Sequence, residues 1–184
     1  MIKTLLASTA AAFMLSTAHA SDLSTSVQAD YDGYLQPLFE HFHANPELST
    51  VEKQTAARMA EELRSAGFEV TEGVGGTGLV AMLENGAGPL VMMRADMDGL
   101  PVREASGLEY ASTAQQVSPI TGETVYTMHA CGHDVHITSL VGTARQMVQR
   151  RDQWSGTLML VVQPAEETGA GAKAMRSDGI WETF

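Results

Sequence analysis

Cysteine is almost absent from this chain: Cys131 is the only one in 184 residues. A single thiol excludes an internal disulfide. Cys131 is therefore a spare residue, an intermolecular link, or a working thiol held by a metal. Positive charge is also scarce, with 11 Lys and Arg against 22 Asp and Glu and a net charge of −11. That balance argues against a nucleic-acid backbone or an anionic membrane as the main partner. It suits a chain that concentrates cations. Apolar runs long enough to span a bilayer are missing, and so are internal repeats and low-complexity segments. What is present is 44% apolar content, the composition of a soluble globular domain with room for a sizeable core.

Residues 1–20 are set apart from the fold. Lys3 precedes the apolar run Leu5 to Leu15, and Ala18-His19-Ala20 supplies a small-x-small cleavage pattern. This is the layout of a secretory signal. The expectation is an exported protein, periplasmic or secreted, whose mature chain begins at Ser21.

From Ser21 the spacing of Tyr34, Leu35, Leu38, Phe39 and Phe42 predicts a helix, closed by Asn45-Pro46. Ser49 or Thr50 is placed to cap a second helix, with Glu52 close to the capping-box position. Its apolar stripe is Ala56, Met59, Ala60 and Leu63, and Gly67 ends it. Short strands are expected at Phe68 to Thr71 and Leu79 to Leu83. Between them, Gly73-Val74-Gly75-Gly76-Thr77-Gly78 matches G-x-G-x-x-G. A dinucleotide site would need a helix directly after it. The following Leu79-Val80-Ala81-Met82-Leu83 reads as strand, so a glycine-rich hairpin is expected instead.

Pro89 to Met93 reads as a buried strand. Residues 103–127 read as a polar surface excursion. A helix with the stripe Ile137, Leu140, Val141, Ala144, Met147 and Val148 is expected to start near Asp134, which is placed to cap it. Gly156 to Gln163 is the clearest strand, Gly169 to Gly171 a turn, and Ala172 to Arg176 the beginning of another helix.

Three segments carry the chemistry. Cys131 and His133 are two residues apart, which in extended backbone places thiol and imidazole on one face. Taken alone, such a pair is more often a loop with a free cysteine. Asp96 and Asp98 follow one apolar strand, and Glu166 and Glu167 follow another. Carboxylates at strand ends lie where α/β sheets usually bind ligands. Adjacent carboxylates in different environments can divide the work, one binding metal and the other free as a base. Together the three point to a metal hydrolase. His136, in the first turn of the helix, reads as a supporting or packing residue.

The runs His43-Ala44-Asn45-Pro46-Glu47-Leu48, Arg94-Ala95-Asp96-Met97-Asp98-Gly99-Leu100-Pro101, Met128-His129-Ala130-Cys131-Gly132-His133-Asp134 and Gln163-Pro164-Ala165-Glu166-Glu167 resemble the M20 metallopeptidase family. The similarity is to its amidohydrolase branch. It implies an α/β fold, a central mixed sheet flanked by helices as in zinc-peptidase catalytic domains. It also implies two divalent metal ions, zinc or manganese with nickel or cobalt as alternatives. By motif, Cys131, His133 and Glu167 would be metal ligands. Glu166 would be the general base toward a metal-activated water, and Asp98 would orient a ligand. The implied reaction is cleavage of the amide bond of N-acyl amino acids or related conjugates, with a small-molecule amide as partner. A dipeptidase or carboxypeptidase of the same family is the second reading, and a non-catalytic metal-binding remnant the third. Family members are about twice as long. The resemblance therefore makes residues 21–184 the N-terminal part of a catalytic domain, incomplete at its C-terminal end. The further histidine ligands and the lid and dimerisation domain would lie outside it, and the full-length protein could be a homodimer. A fragment of that kind is expected to bind metal weakly, to aggregate, and not to turn over.

Overall fold

The structure, a computed structural model, describes residues 22–184. The signal expected at residues 1–20 lies outside the described residues. Helix α1 covers residues 22–30, passes through a π-helical segment at Tyr31–Leu35 and continues as α2, Gln36–Ala44. Leu35, Leu38 and Phe42 turn inward, as their spacing predicts. The helix ends at Asn45, whose N–H bonds Phe42 O at 3.2 Å.

Helix α3 is Lys53–Ser65 and buries Ala56, Met59, Ala60 and Leu63. Its start differs from expectation. Glu52 is the N-cap residue, and neither Ser49 nor Thr50 caps. The carboxylate of Glu47 instead accepts the N–H groups of Gln54 and Thr55, at 3.1 and 2.7 Å. An anion there satisfies free donors and complements the helix dipole.

Four strands form the main sheet: β1 (Glu69–Glu72), β2 (Leu79–Asn85), β3 (Leu90–Asp96) and β6 (Gly156–Gln163). Their order is β1-β2-β6-β3. The β1/β2 and β2/β6 pairs are antiparallel, and β3/β6 is parallel. This is the expected mixed sheet. Phe68, expected in the first strand, is buried but precedes it. The segment between β1 and β2 is the expected turn, closed by Val74 N–H to Gly78 O at 2.9 Å, and a strand follows it.

Alternation sorts the side chains of β2 and β6 to two faces. Leu79, Ala81, Leu83, Leu158, Leu160 and Val162 join the larger core with α2, α3 and α4 (His133–Gln149). Val80, Met159 and Val161 face Val74, Met175 and Ile180 in a smaller one. Met175 belongs to α5 (Gly171–Ser177) and Ile180 to α6 (Ile180–Thr183). Each fully buried aliphatic side chain contributes about 1.5–3 kcal/mol.

Strand β3 corrects one expectation. Among the described residues it is an edge strand, paired on one side only, and Leu90, Val91 and Met92 are exposed. An apolar run alone does not specify a central position. Residues 103–127 contain structure of their own, the hairpin of β4 (Gln115–Val117) and β5 (Thr124–Tyr126). No helix among the described residues is long and apolar enough to cross a membrane.

Candidate metal centre

Because β3 and β6 are parallel, their C-terminal ends lie side by side, with Asp96 opposite Gln163. Asp98 leaves one end, and Glu166 and Glu167 leave the other. Helix α4 brings His133 to the same edge. Gly132 precedes it as N-cap at φ 82°, a left-handed conformation that glycine adopts without strain. Gly132, not Asp134, is the N-cap residue, but Asp134 still serves the helix start: its Oδ1 accepts the Val135 N–H of the first turn at 2.9 Å, while its Oδ2 lies 2.7 Å from Nδ1 of His43.

His133 is the hub. Its Nδ1 lies 2.8 Å from the backbone oxygen of Asp98, so Nδ1–H donates there. Nε2 is then the nitrogen left to a metal; burial lowers the His133 pKa, but the hydrogen bond and charges of Asp98 and Asp96 outweigh it and the net shift is upward. Nε2 faces Asp96 Oδ2 at 3.5 Å, Glu166 Oε2 at 3.7 Å and Glu167 Oε1 at 3.9 Å. These distances are long for hydrogen bonds. They suit donors sharing an ion, since ligands each about 2 Å from a zinc-sized metal sit about 3–4 Å apart. Glu167 Oε1 is buried with no hydrogen-bond partner, and a buried oxygen ordinarily has one. A divalent cation would satisfy it. The donor set of imidazole and carboxylates therefore fits a divalent transition metal. An imidazole held through its second nitrogen is the usual arrangement for a ligand.

Asp98 organises the edge. Its Oδ1 accepts the backbone N–H of Glu166 and its Oδ2 that of Glu167, each at 3.1 Å. The Ser49 hydroxyl donates to Oδ2 at 2.6 Å. Burial pushes the Asp98 pKa up, but the hydrogen bonds from His133, Ser49 and the two backbone N–H groups outweigh it. Asp98 is held below the usual carboxylate range. Burial likewise opposes Asp96, and is outweighed by the His136 hydrogen bond and the charges of His133 and Arg94.

Of the residues singled out in the sequence, His133, Glu166 and Glu167 offer donor atoms within 4.8 Å of one another. Asp98 sits behind them. Cys131 is exposed, and the Glu167 carboxylate beside its thiol raises its pKa. It stands beside the three donors rather than among them. A second group joins Asp96, His133 and His136. His136 Nδ1 is 2.6 Å from Asp96 Oδ1, and its ring stacks on His133 at 5.5 Å between centroids. From the sequence alone His136 reads as a supporting or packing residue. Its position three after His133, on the same helix face, was the available signal. His129 was also passed over. It is buried with neither ring nitrogen bonded, and burial pushes its pKa down to about 4.

Known proteins resemble this chain. The chain is 40% identical to the hippurate hydrolase of Campylobacter jejuni over 84% of its own length. It is 45% identical to thermostable carboxypeptidase 2 of Saccharolobus solfataricus over 75%. It spans only 38% and 34% of those two proteins. A crystal structure from Bacillus subtilis, described as a dinuclear metal-binding peptidase of the M20 family, superposes with a TM-score of 0.70 at 35% identity. That superposition covers 80% of this chain and 39% of the other. Residues 92–183 match the family described as Peptidase family M20/M25/M40. The match begins inside β3 and runs past the Glu166–Glu167 turn, through the whole converging edge of the sheet, and the chain belongs to this peptidase family.

Proposed function

We propose that the protein is a metal-dependent amidohydrolase that cleaves the amide bond of N-acyl amino acids or related conjugates. The observation that carries this reading is the position of His133 Nε2, unbonded, before the carboxylates of Asp96, Glu166 and Glu167. Divalent metal ions held there by His133, Glu167 and Cys131 would polarise the amide carbonyl and make water more acidic. Adjacent carboxylates then divide the work by exposure. The Glu167 side chain is 16% exposed and keeps the orphaned oxygen, which suits a ligand. The Glu166 side chain is 41% exposed and can reach a substrate. Glu166 accepts the proton of the attacking water and hands it to the leaving amine. Asp98 keeps both backbones and the His133 ring in register.

Likeness to a hippurate hydrolase supports the acyl-amino-acid substrate. The higher identity to a carboxypeptidase favours a second reading, hydrolysis of a peptide with a free C-terminus. The test is turnover of N-benzoyl amino acids against such peptides by the full gene product. Glu166→Gln should lose about 10²–10⁴-fold in turnover and keep its metal content. Glu167→Gln should lose metal. Equal metal loss in both variants would mean that the roles are misassigned. Export and a homodimeric full-length protein belong to the same proposal. N-terminal sequencing and the sedimentation mass of the purified protein check them.

A further inference from the structure

Among the described residues, two that are not glycine have positive φ: Thr50 at 72° and Ala165 at 47°. Residues with a Cβ rarely take this conformation, and a β-branched one least of all. The two lie in different turns, one before α3 and one at the end of β6. Both donate their backbone N–H to the same atom, Oε1 of Glu52, at 2.9 and 2.8 Å. The other oxygen, Oε2, accepts the Thr77 hydroxyl at 2.5 Å. Glu52 is 0% exposed. Its three donors come from three separate segments, and none of them belongs to a candidate ligand.

Ala165 immediately precedes Glu166 and Glu167. The three successive N–H groups of residues 165, 166 and 167 are thus all held by carboxylates, the first by Glu52 and the next two by Asp98. The turn is also tightly enclosed. A Cβ on Gly171 would lie 1.5 Å from Pro164 O, and one on Gly78 would lie 2.7 Å from Pro164 Cδ. Strained backbone persists where its surroundings over-determine it.

We infer that Glu52 is a positioning residue for the metal centre: by holding Ala165 in its left-handed conformation it aims Glu167 at the ion and Glu166 at the substrate. The inference rests on the proposed roles of Glu166 and Glu167. It requires a hydrogen-bond acceptor at the right reach and does not require charge. Glu52→Gln keeps an oxygen for Thr50 and Ala165, and its amide can donate to Thr77. Glu52→Asp keeps the charge but falls short by a methylene.

The test is titration of the 184-residue chain with cobalt(II), following the metal's visible absorption and the thiolate-to-cobalt band of Cys131. Glu52→Gln should bind within about 3-fold of the parent. Glu52→Asp and Glu52→Ala should bind about 10-fold or more weakly, the scale seen when a ligand's support is removed. Ala165→Gly should restore much of that loss in either background, because glycine takes positive φ without help. Loss of packing around α3 would not be repaired by a change at residue 165. Leu63→Ala, a core variant in the same helix, should leave cobalt affinity unchanged. If Glu52→Ala does not fold, Glu52→Asp carries the comparison. Should Glu167→Gln bind cobalt as tightly as the parent, the ligand assignment falls and the inference with it. If Glu167→Gln loses affinity while Glu52→Asp keeps it, or if Ala165→Gly restores nothing, the inference alone is overturned.

Discussion

Nδ1 of His43 lies 2.7 Å from Oδ2 of Asp134, joining the end of α2 to the first turn of α4. The other ring nitrogen of His43 lies 3.0 Å from Glu104, in the excursion before β4. Tyr110 meets the ring edge-on, with centroids 5.2 Å apart. One imidazole thus clamps three segments together, right behind the helix start that carries His133.

That clamp predicts a pH-dependent stability. Burial lowers the pKa of His43, but the hydrogen bonds and charges of Glu104 and Asp134 outweigh it, and the net shift is upward. The folded chain therefore holds the proton more tightly than the unfolded one. The contribution is complete below the unfolded value of about 6.5 and is lost as pH rises through the higher folded value. His43→Gln removes it, leaving two buried carboxylates without a cation, at a cost of about 3–5 kcal/mol. Urea melts from about pH 5 to about pH 9 should show the gap between parent and variant widest in acid and narrowing with rising pH. A constant gap would show that His43 does not change its protonation between those limits and that the clamp is not the source of any pH dependence.

Cys131 makes a second prediction, in chemical reactivity. Its thiol is exposed, and the neighbouring Glu167 carboxylate keeps it protonated to higher pH. Iodoacetamide should therefore alkylate the metal-free chain slowly at neutral pH, since the thiolate is the nucleophile. Added zinc or manganese should block the reaction by taking the sulfur. Cys131→Ala and Cys131→Ser should both bind metal about 10-fold or more weakly. An alkylation rate indifferent to metal would remove Cys131 from the ligand set.

The exposed edge gives a third. Leu90, Val91 and Met92 lie on an edge strand, open on the side away from β6, at 51%, 56% and 44% exposure. Such an edge invites pairing with another chain, and lysine discourages it. Val91→Lys in the 184-residue chain should lower light scattering at high concentration and change stability by no more than about 0.5 kcal/mol. Unchanged association would place the sticky surface elsewhere.

Much of this molecule is written in local patterns. Phe42, Leu63 and Leu140 follow the helical period and sit in the core where that period puts them. The Asp96–Asp98 and Glu166–Glu167 pairs follow strands, and parallel pairing of those strands brings them together. What the sequence did not disclose depends on partners far along the chain. The edge position of β3 follows from strand order, which no window of residues contains. Asp134 keeps one oxygen on the first turn of its own helix, and a histidine 91 positions away takes the other. Glu52 looks like part of a capping box, and its decisive bond is to a residue 113 positions later.

The strand order also sets a sequence of events for the growing chain. β6 lies between β2 and β3, although both are synthesised long before it. Those two earlier strands are joined by a link that begins Asn85-Gly86, a dipeptide that favours tight hairpins between flanking apolar strands. Until Gly156 to Gln163 emerges, β2 and β3 have each other as the nearest available partners. In the finished sheet they stand two strand spacings apart, about 10 Å, with Gly88 pressed close to Ser155. Strand β6 must therefore take its place between them, and the converging edge that carries Glu166 and Glu167 exists only once it has. Such long-range pairing is slow relative to local contacts, so a chain stalled before β6 is left with a plausible wrong hairpin and no site.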